Sequence, residues 1–189
     1  WEAMAQATGR DVEYIQYLEG DYSQAQKSFD RLIDAWSIVC GRSKEWILDI
    51  YGQGEWREML QAKIDGYGIV DRCRLRGTTA NIYQEYADSS ILVMSSHYEG
   101  LPMVMIEAMA CGLPSVSFDV KCGPKDVIDN GVNGVIVHDG DIAGLADALL
   151  RLMDSNVERK AMSIEAQKVM TKYSEETIMN KWLDCYSKL

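Results

Sequence analysis

Glu99 and Glu107 stand eight positions apart in the segment SSHYEGLPMVMIEAMACGLP, residues 95–114, with a glycine, a proline and an apolar run between them. Two carboxylates in one site can work as a general acid/base pair, or can accept hydrogen bonds from the hydroxyl groups of a sugar. The segment MVMIEAMA has helical length and composition and is ended by Gly112, while residues 90–94 (SILVM) form a short β-rich apolar run. The local grammar is strand, Gly-Pro turn, helix. Pro102 suits the first helical position, where its missing N–H costs nothing. The N–H groups of Gly100, Leu101, Met103 and Val104 then face backward, and a helix start of this kind is an anion site. Glu107 falls in the second turn of a helix otherwise made of Met, Val, Ile and Ala, so it is expected to be buried and to need a partner. Sugar hydroxyls would serve. So would a neighbouring Lys or backbone amide, with Glu99 then only part of a loop.

The elements that must position these acids alternate along the chain. Strands are expected at 12–18, 46–51, 73–76, 90–94, 115–118 and 134–137. Helices are expected after the first strand, with Phe29, Leu32, Ile33, Trp36 and Val39 on one face, and at 55–64, 82–87 and 125–128. Gly52 and Gly54 break the second strand. Asp141 caps a helix carrying Ile142, Leu145, Leu149 and Leu152, and two more helices follow at about 156–171 and 175–189. This pattern predicts an α/β domain with a doubly wound parallel sheet. Ile178, Trp182, Cys185 and Tyr186 form a stripe at helical spacing that would pack on the domain.

The segment EGLPMVMIEAMACGLP resembles the E-x7-E signature of retaining GT-B glycosyltransferases of family four, the glycosyl transferases group 1. KSFDRLIDAW at 27–36, ILDIYGQGE at 47–55 and RGTTANIYQEYADSSILVMSS at 76–96 stand upstream in the order that family uses, and CGPKDVIDNGVNGVIV and GDIAGLADALL follow downstream. The resemblance covers roughly residue 26 to the C-terminus and implies the Rossmann-like C-terminal half of a GT-B fold. Residues 1–189 would then be the donor-binding domain, with helices 156–189 packing back and the N-terminal acceptor domain absent. The chain opens on Trp1 rather than Met, as a fragment or a processed chain would.

The resemblance also implies roles. Glu107 matches the acid that hydrogen-bonds the ribose hydroxyls of the nucleotide, and Glu99 the one that contacts the donor sugar and is the candidate catalytic residue. Gly100, Leu101, Met103 and Val104 match the turn and helix start whose N–H groups meet sugar and diphosphate. Gly77 and Thr78 match the loop beside the nucleobase. Lys27 matches a lysine that neutralises the diphosphate, and His97 is placed in reach of the donor, the alternative being solvated loop structure. The turn at Cys122-Gly123-Pro124-Lys125 is similar to one near the donor sugar in part of the family.

The implied substrate is a nucleotide diphosphate sugar, UDP-linked, with no cofactor and no metal. The implied acceptor is a glycan or lipid-linked molecule held by the other domain, and the last helix would cross back to it. A non-catalytic nucleotide-sugar binding module, a subunit of a split enzyme, and a nucleotide-sugar 2-epimerase of the same fold are the other readings; the E-x7-E match argues against the epimerase.

One departure stands out. The family opens this domain with a G-R-L turn and then K-G, whereas this chain reads YLEGDYSQAQKSFD. Asp21 stands roughly where Arg is expected, and Ser28 replaces Gly. An acid beside a diphosphate is repulsive. Either Lys121 or Lys125 supplies the missing cation from a rebuilt loop, or donor affinity is low.

Composition bounds the rest. A formal net charge of −10 argues against nucleic acid as a partner and against broad adhesion to anionic membranes. The chain contains no apolar run of spanning length. Cys40, Cys73, Cys111, Cys122 and Cys185 are odd in number and have no C-x-x-C spacing, so neither a disulfide framework nor a zinc site is indicated. The expected compartment is the cytoplasm, with peripheral attachment at the inner membrane face open to a full-length enzyme.

Overall fold

The computed structural model describes residues 14–21, along the backbone alone, and residues 27–188. Among them, six strands form one sheet: β1 Tyr14–Asp21, β2 Ile47–Gln53, β3 Cys73–Gly77, β4 Ile91–Met94, β5 Ser115–Asp119 and β6 Gly134–His138. Every neighbouring pair is parallel, and the spatial order is β3-β2-β1-β4-β5-β6. This is the doubly wound order expected of a Rossmann-like domain. β4 is buried at all four positions and β5 at four of five, as strands covered on both faces must be.

Nine described helices accompany the sheet: α1 Phe29–Arg42, α2 Arg57–Tyr67, α3 Ile82–Ala87, α4 Met103–Ala110, α5 Pro124–Val127, α6 Ile142–Asp154, α7 Asn156–Gln167, α8 Val169–Tyr173 and α9 Glu175–Tyr186. The crossovers run one way from β1 to β3 and the opposite way from β3 to β6, so right-handed connections send α1 and α2 to one face and α3 and α4 to the other. α6 returns to pack on α1, and α7 and α8 pack on α4. The α1 stripe buries Phe29, Leu32, Ile33, Ala35, Trp36 and Val39, and the indole N–H of Trp36 donates to the Arg72 carbonyl at 2.7 Å. Asp141 caps α6 by accepting from the Gly144 N–H at 2.8 Å.

Several boundaries differ from the sequence reading. The first strand runs to Asp21 rather than stopping at Leu18, with Val12 and Glu13 outside the described residues. The helix expected over 156–171 breaks at Lys168 into α7 and α8. Most of the stripe on α9 does not pack on the domain: Trp182, Cys185 and Tyr186 are exposed, Ile178 is half-buried, and no residue of the helix is buried.

Candidate functional site

In an open parallel sheet, ligands bind beyond the carboxyl ends of the strands, where the strand order reverses. Here that point lies between β1 and β4. The segment leading into α1 at Lys27 and Ser28 and the loop from Ser95 to Pro102 meet above it. The Ser95 hydroxyl donates to the Lys27 carbonyl at 2.8 Å and pins one to the other. Ser28 holds φ 50° and ψ 47°, and it is the one residue other than glycine at positive φ among the described residues. That left-handed backbone costs a side-chain-bearing residue roughly 1–2 kcal/mol, so a glycine would suit the position better.

Glu99 and Lys27 form an ion pair at 2.9 Å, with side chains only 9% and 18% accessible. Around them His97, Tyr98, Gly100, Leu101 and Met103 are exposed, and a side chain at Gly100 would project into open space. The far wall is the start of α5. A Cβ on Gly123 would lie 2.8 Å from the Gly100 carbonyl oxygen and 3.0 Å from both Glu99 Cβ and Pro102 Cδ, and Gly123 has φ +95°. Only glycine fits there. The Cys122–Lys125 turn therefore packs directly on the Glu99 loop.

Pro102 is not the first residue of α4 but the one before it, at φ −76° and ψ 85°. Its carbonyl accepts from the N–H groups of Met105 and Ile106 at 3.0 and 3.2 Å, and the N–H groups of Met103 and Val104 begin the helix. The N-terminal end of the α4 dipole thus points toward the Glu99 loop.

Glu107 is half-buried rather than buried, because it lies on the edge of α4 and not on its core face, which holds Met105, Ile106, Ala108 and Met109. The buried Tyr86 hydroxyl on α3 donates to Glu107 Oε2 at 3.3 Å. Cys111, one turn on, is half-buried and packs on the core, and burial and the Glu107 charge both push its thiol pKa up.

Gly77 and Thr78 sit at the same edge of the sheet, at the end of β3, with β2 and β1 between it and β4. Gly77 has φ +77°, and Thr78 is exposed. Their loop is braced by residues that sequence reading passed over. The Tyr51 hydroxyl donates to Glu85 Oε2 at 2.6 Å, and the Thr79 hydroxyl donates to Glu85 Oε1 at 3.4 Å. Burial and the Glu85 carboxylate drive the Tyr51 pKa upward.

Of the two lysines considered as substitutes for the missing arginine, Lys121 lies on the turn after β5 and Lys125 in α5. Lys125 is paired with Asp119 at 2.7 Å, and Lys121 is exposed. Asp21 ends β1 opposite Gln53 on β2, and the residues that follow it, 22–26, lie outside the described residues. A different cation occupies the cleft. Arg31 in the first turn of α1 reaches His97 Nδ1 at 2.7 Å and Asp139 Oδ1 at 2.6 Å, with its guanidinium 4.2 Å from the centre of the Phe118 ring.

A sequence profile described as glycosyl transferases group 1 matches residues 21–169, across the whole of this constellation. The chain belongs to that family. Over 159 residues it is 35% identical to the amylovoran biosynthesis glycosyltransferase AmsD of Erwinia amylovora, covering 84% of this chain and 44% of AmsD. Over 162 residues it is 31% identical to the poly(ribitol-phosphate) alpha-N-acetylglucosaminyltransferase of Staphylococcus aureus, covering 85% of this chain and 33% of the relative. A crystal structure of a mutant of S. aureus TarM in complex with fondaparinux, alpha-GlcNAc-glycerol and UDP superposes with a TM-score of 0.87 at 29% identity, covering 92% of this chain and 35% of that one. The chain spans less than half the length of each of these proteins. Its sheet is the Rossmann-like half of the GT-B fold. No helix among the described residues is long and apolar enough to cross a membrane.

Proposed function

We propose that this chain is the donor-binding half of a retaining glycosyltransferase that takes a hexosyl unit from a UDP-linked sugar. The acceptor, a glycan or lipid-linked molecule, is held by a second domain. The observation that carries this reading is the placement of Lys27, Glu99 and the start of α4 together at the β1/β4 switch point. The UDP held by the TarM structure supports the choice of nucleotide.

In this reading Glu107 accepts from the ribose hydroxyls and Gly77 and Thr78 border the base. The N–H groups of Gly100, Leu101, Met103 and Val104 meet the sugar and diphosphate, and Lys27 neutralises the diphosphate. As the bond from sugar to phosphate breaks, negative charge grows on the leaving diphosphate, and fixed N–H dipoles and a cation stabilise it without having to reorganise. Glu99 orients the sugar through its hydroxyl groups and stabilises positive charge at the anomeric carbon. The acceptor hydroxyl attacks from the face the diphosphate leaves and gives its proton to the departing diphosphate oxygen, which keeps the anomeric configuration.

The test is calorimetric titration of the chain with UDP, GDP and ADP and with sugars linked to each. Saturable binding of a UDP-sugar, stronger than that of the matching sugar linked to GDP or ADP, is expected. Failure of every nucleotide diphosphate sugar to bind a folded chain would sink the proposal.

A further inference from the structure

Arg31 spans three strand ends at the carboxyl edge of the sheet. It leaves the first turn of α1, stacks over Phe118 on β5, and splits its fork between Asp139 after β6 and His97 after β4. Its side chain is only 12% accessible, whereas the His97 that it holds is exposed. A guanidinium has N–H donors and no acceptor, and it stays protonated throughout the working pH range. The 2.7 Å contact therefore makes His97 Nδ1 the acceptor. An imidazole that accepts at Nδ1 carries its proton at Nε2 when neutral, and the bond is lost if Nδ1 takes a proton.

We propose that Arg31 is a positioning residue that fixes the His97 ring with Nδ1 as acceptor and Nε2–H as donor for an oxygen of the bound sugar nucleotide, two residues from Glu99. This rests on the reading of the switch-point cleft as a donor site. Arg31 already donates to His97 and Asp139 and lays its face over Phe118, so its charge is engaged within the chain. It acts through His97. Asp139 sets the angle of the fork, so a charge of the same sign without two divergent donors does not suffice.

Nitrogen-15 NMR of the free chain at about pH 8, above the ordinary histidine range, reads the tautomer without any ligand. Wild type is expected to show His97 Nδ1 as an unprotonated, hydrogen-bonded acceptor. Arg31→Met, which keeps an apolar stem over Phe118, and Arg31→Lys are both expected to shift Nδ1 toward the averaged signal of an unrestrained imidazole. An unchanged His97 spectrum in Arg31→Met would overturn the proposal. A double-mutant cycle reads the consequence with UDP-glucose as the probe. Arg31→Met is expected to weaken it about five- to tenfold in wild type and hardly at all in a His97→Ala background. Equal losses in both backgrounds would show that Arg31 acts on the fold and not through His97. If wild type binds neither UDP nor UDP-glucose, it is the donor-site reading that has failed, and the NMR comparison still decides whether Arg31 sets the tautomer.

Discussion

Lys27 Nζ lies 2.9 Å from Glu99 Oε1, although 72 residues separate the two in the chain. The proposed function gives one to the diphosphate and the other to the sugar, and in the donor-free chain the two charges neutralise each other. In the proposed reading a donor would exchange partners for both: phosphate oxygens would take the ammonium, and sugar hydroxyls the carboxylate. A nucleotide without a sugar would take Lys27 and leave Glu99, at 9% exposure, without its cation.

Glu99→Ala is therefore expected to leave UDP affinity undiminished, because it releases Lys27, while the affinity for a UDP-sugar falls by about 1–3 kcal/mol for a lost charged hydrogen bond. Lys27→Ala is expected to weaken UDP and the UDP-sugar alike and to change uridine binding much less. Parallel calorimetric titrations of the two variants with the three ligands check this. A Glu99→Ala variant that loses UDP and UDP-sugar equally would mean that the loop, and not the sugar contact, had been damaged.

Gly123→Ala is expected to reach the site from behind. The new Cβ would meet the Gly100 carbonyl at 2.8 Å on a backbone at φ +95°, so the Glu99 loop must shift. The expected cost is about 1–3 kcal/mol of stability, together with weaker UDP-sugar binding. Gly66→Ala, in α2 with no neighbour within 4 Å of its Cβ and no positive φ, is the control. It should stabilise the chain by about 0.5–1 kcal/mol. Thermal melts of both variants are the measurement, and a Gly123→Ala protein with unchanged melting and binding would refute the packing argument.

Much of this architecture was legible in the residues. α3 over Ile82–Ala87 and the MVMIEAMA helix fall where the 3.6-residue pattern and the flanking turn residues put them. The β1 boundary shifted because EGD carries turn residues that the ladder to β2 nevertheless keeps in the strand as far as Asp21. Pro102 moved one position because its carbonyl, not its ring, opens the helix. Arg31 was invisible as a site residue. On an amphipathic helix it reads as an ordinary polar position, and only the sheet order brings the β4, β5 and β6 ends to it. The Lys27–Glu99 pair was hidden for the same reason.

The chain alone is expected to bind a donor without transferring sugar, because chemistry needs acceptor groups held in register by a second domain. In that reading the exposed residues of α9, among them Trp182 and Tyr186 of the expected stripe, would face the second domain. Sugar transfer to any acceptor by the purified chain, followed by product chromatography, would contradict the half-enzyme reading.

Alkaline pH is expected to destabilise the fold. Burial pushes the Cys40, Cys73 and Cys111 thiols up, so the folded chain keeps these protons after the unfolded chain has lost them. Above about pH 8.5 the unfolded state binds fewer protons, and stability falls as pH rises. Their contribution is full below that pH. Denaturant melts from pH 7 to 10 read the slope. At neutral pH, the exposed Cys122 and Cys185 should react with a thiol reagent well before the other three.

The central claim, that the switch-point cleft is a nucleotide site, is tested most directly by UDP titration of wild type and Glu107→Gln side by side. Glutamine keeps the shape and leaves an oxygen within reach of the Tyr86 hydroxyl, but it removes the charge that ribose hydroxyls would bond. The account predicts that UDP binds the wild-type chain and that Glu107→Gln, folded and melting normally, binds it roughly ten- to a hundredfold more weakly, the worth of charge-assisted hydrogen bonds. UDP bound equally well by both proteins would contradict it and leave Glu107 a structural partner of Tyr86.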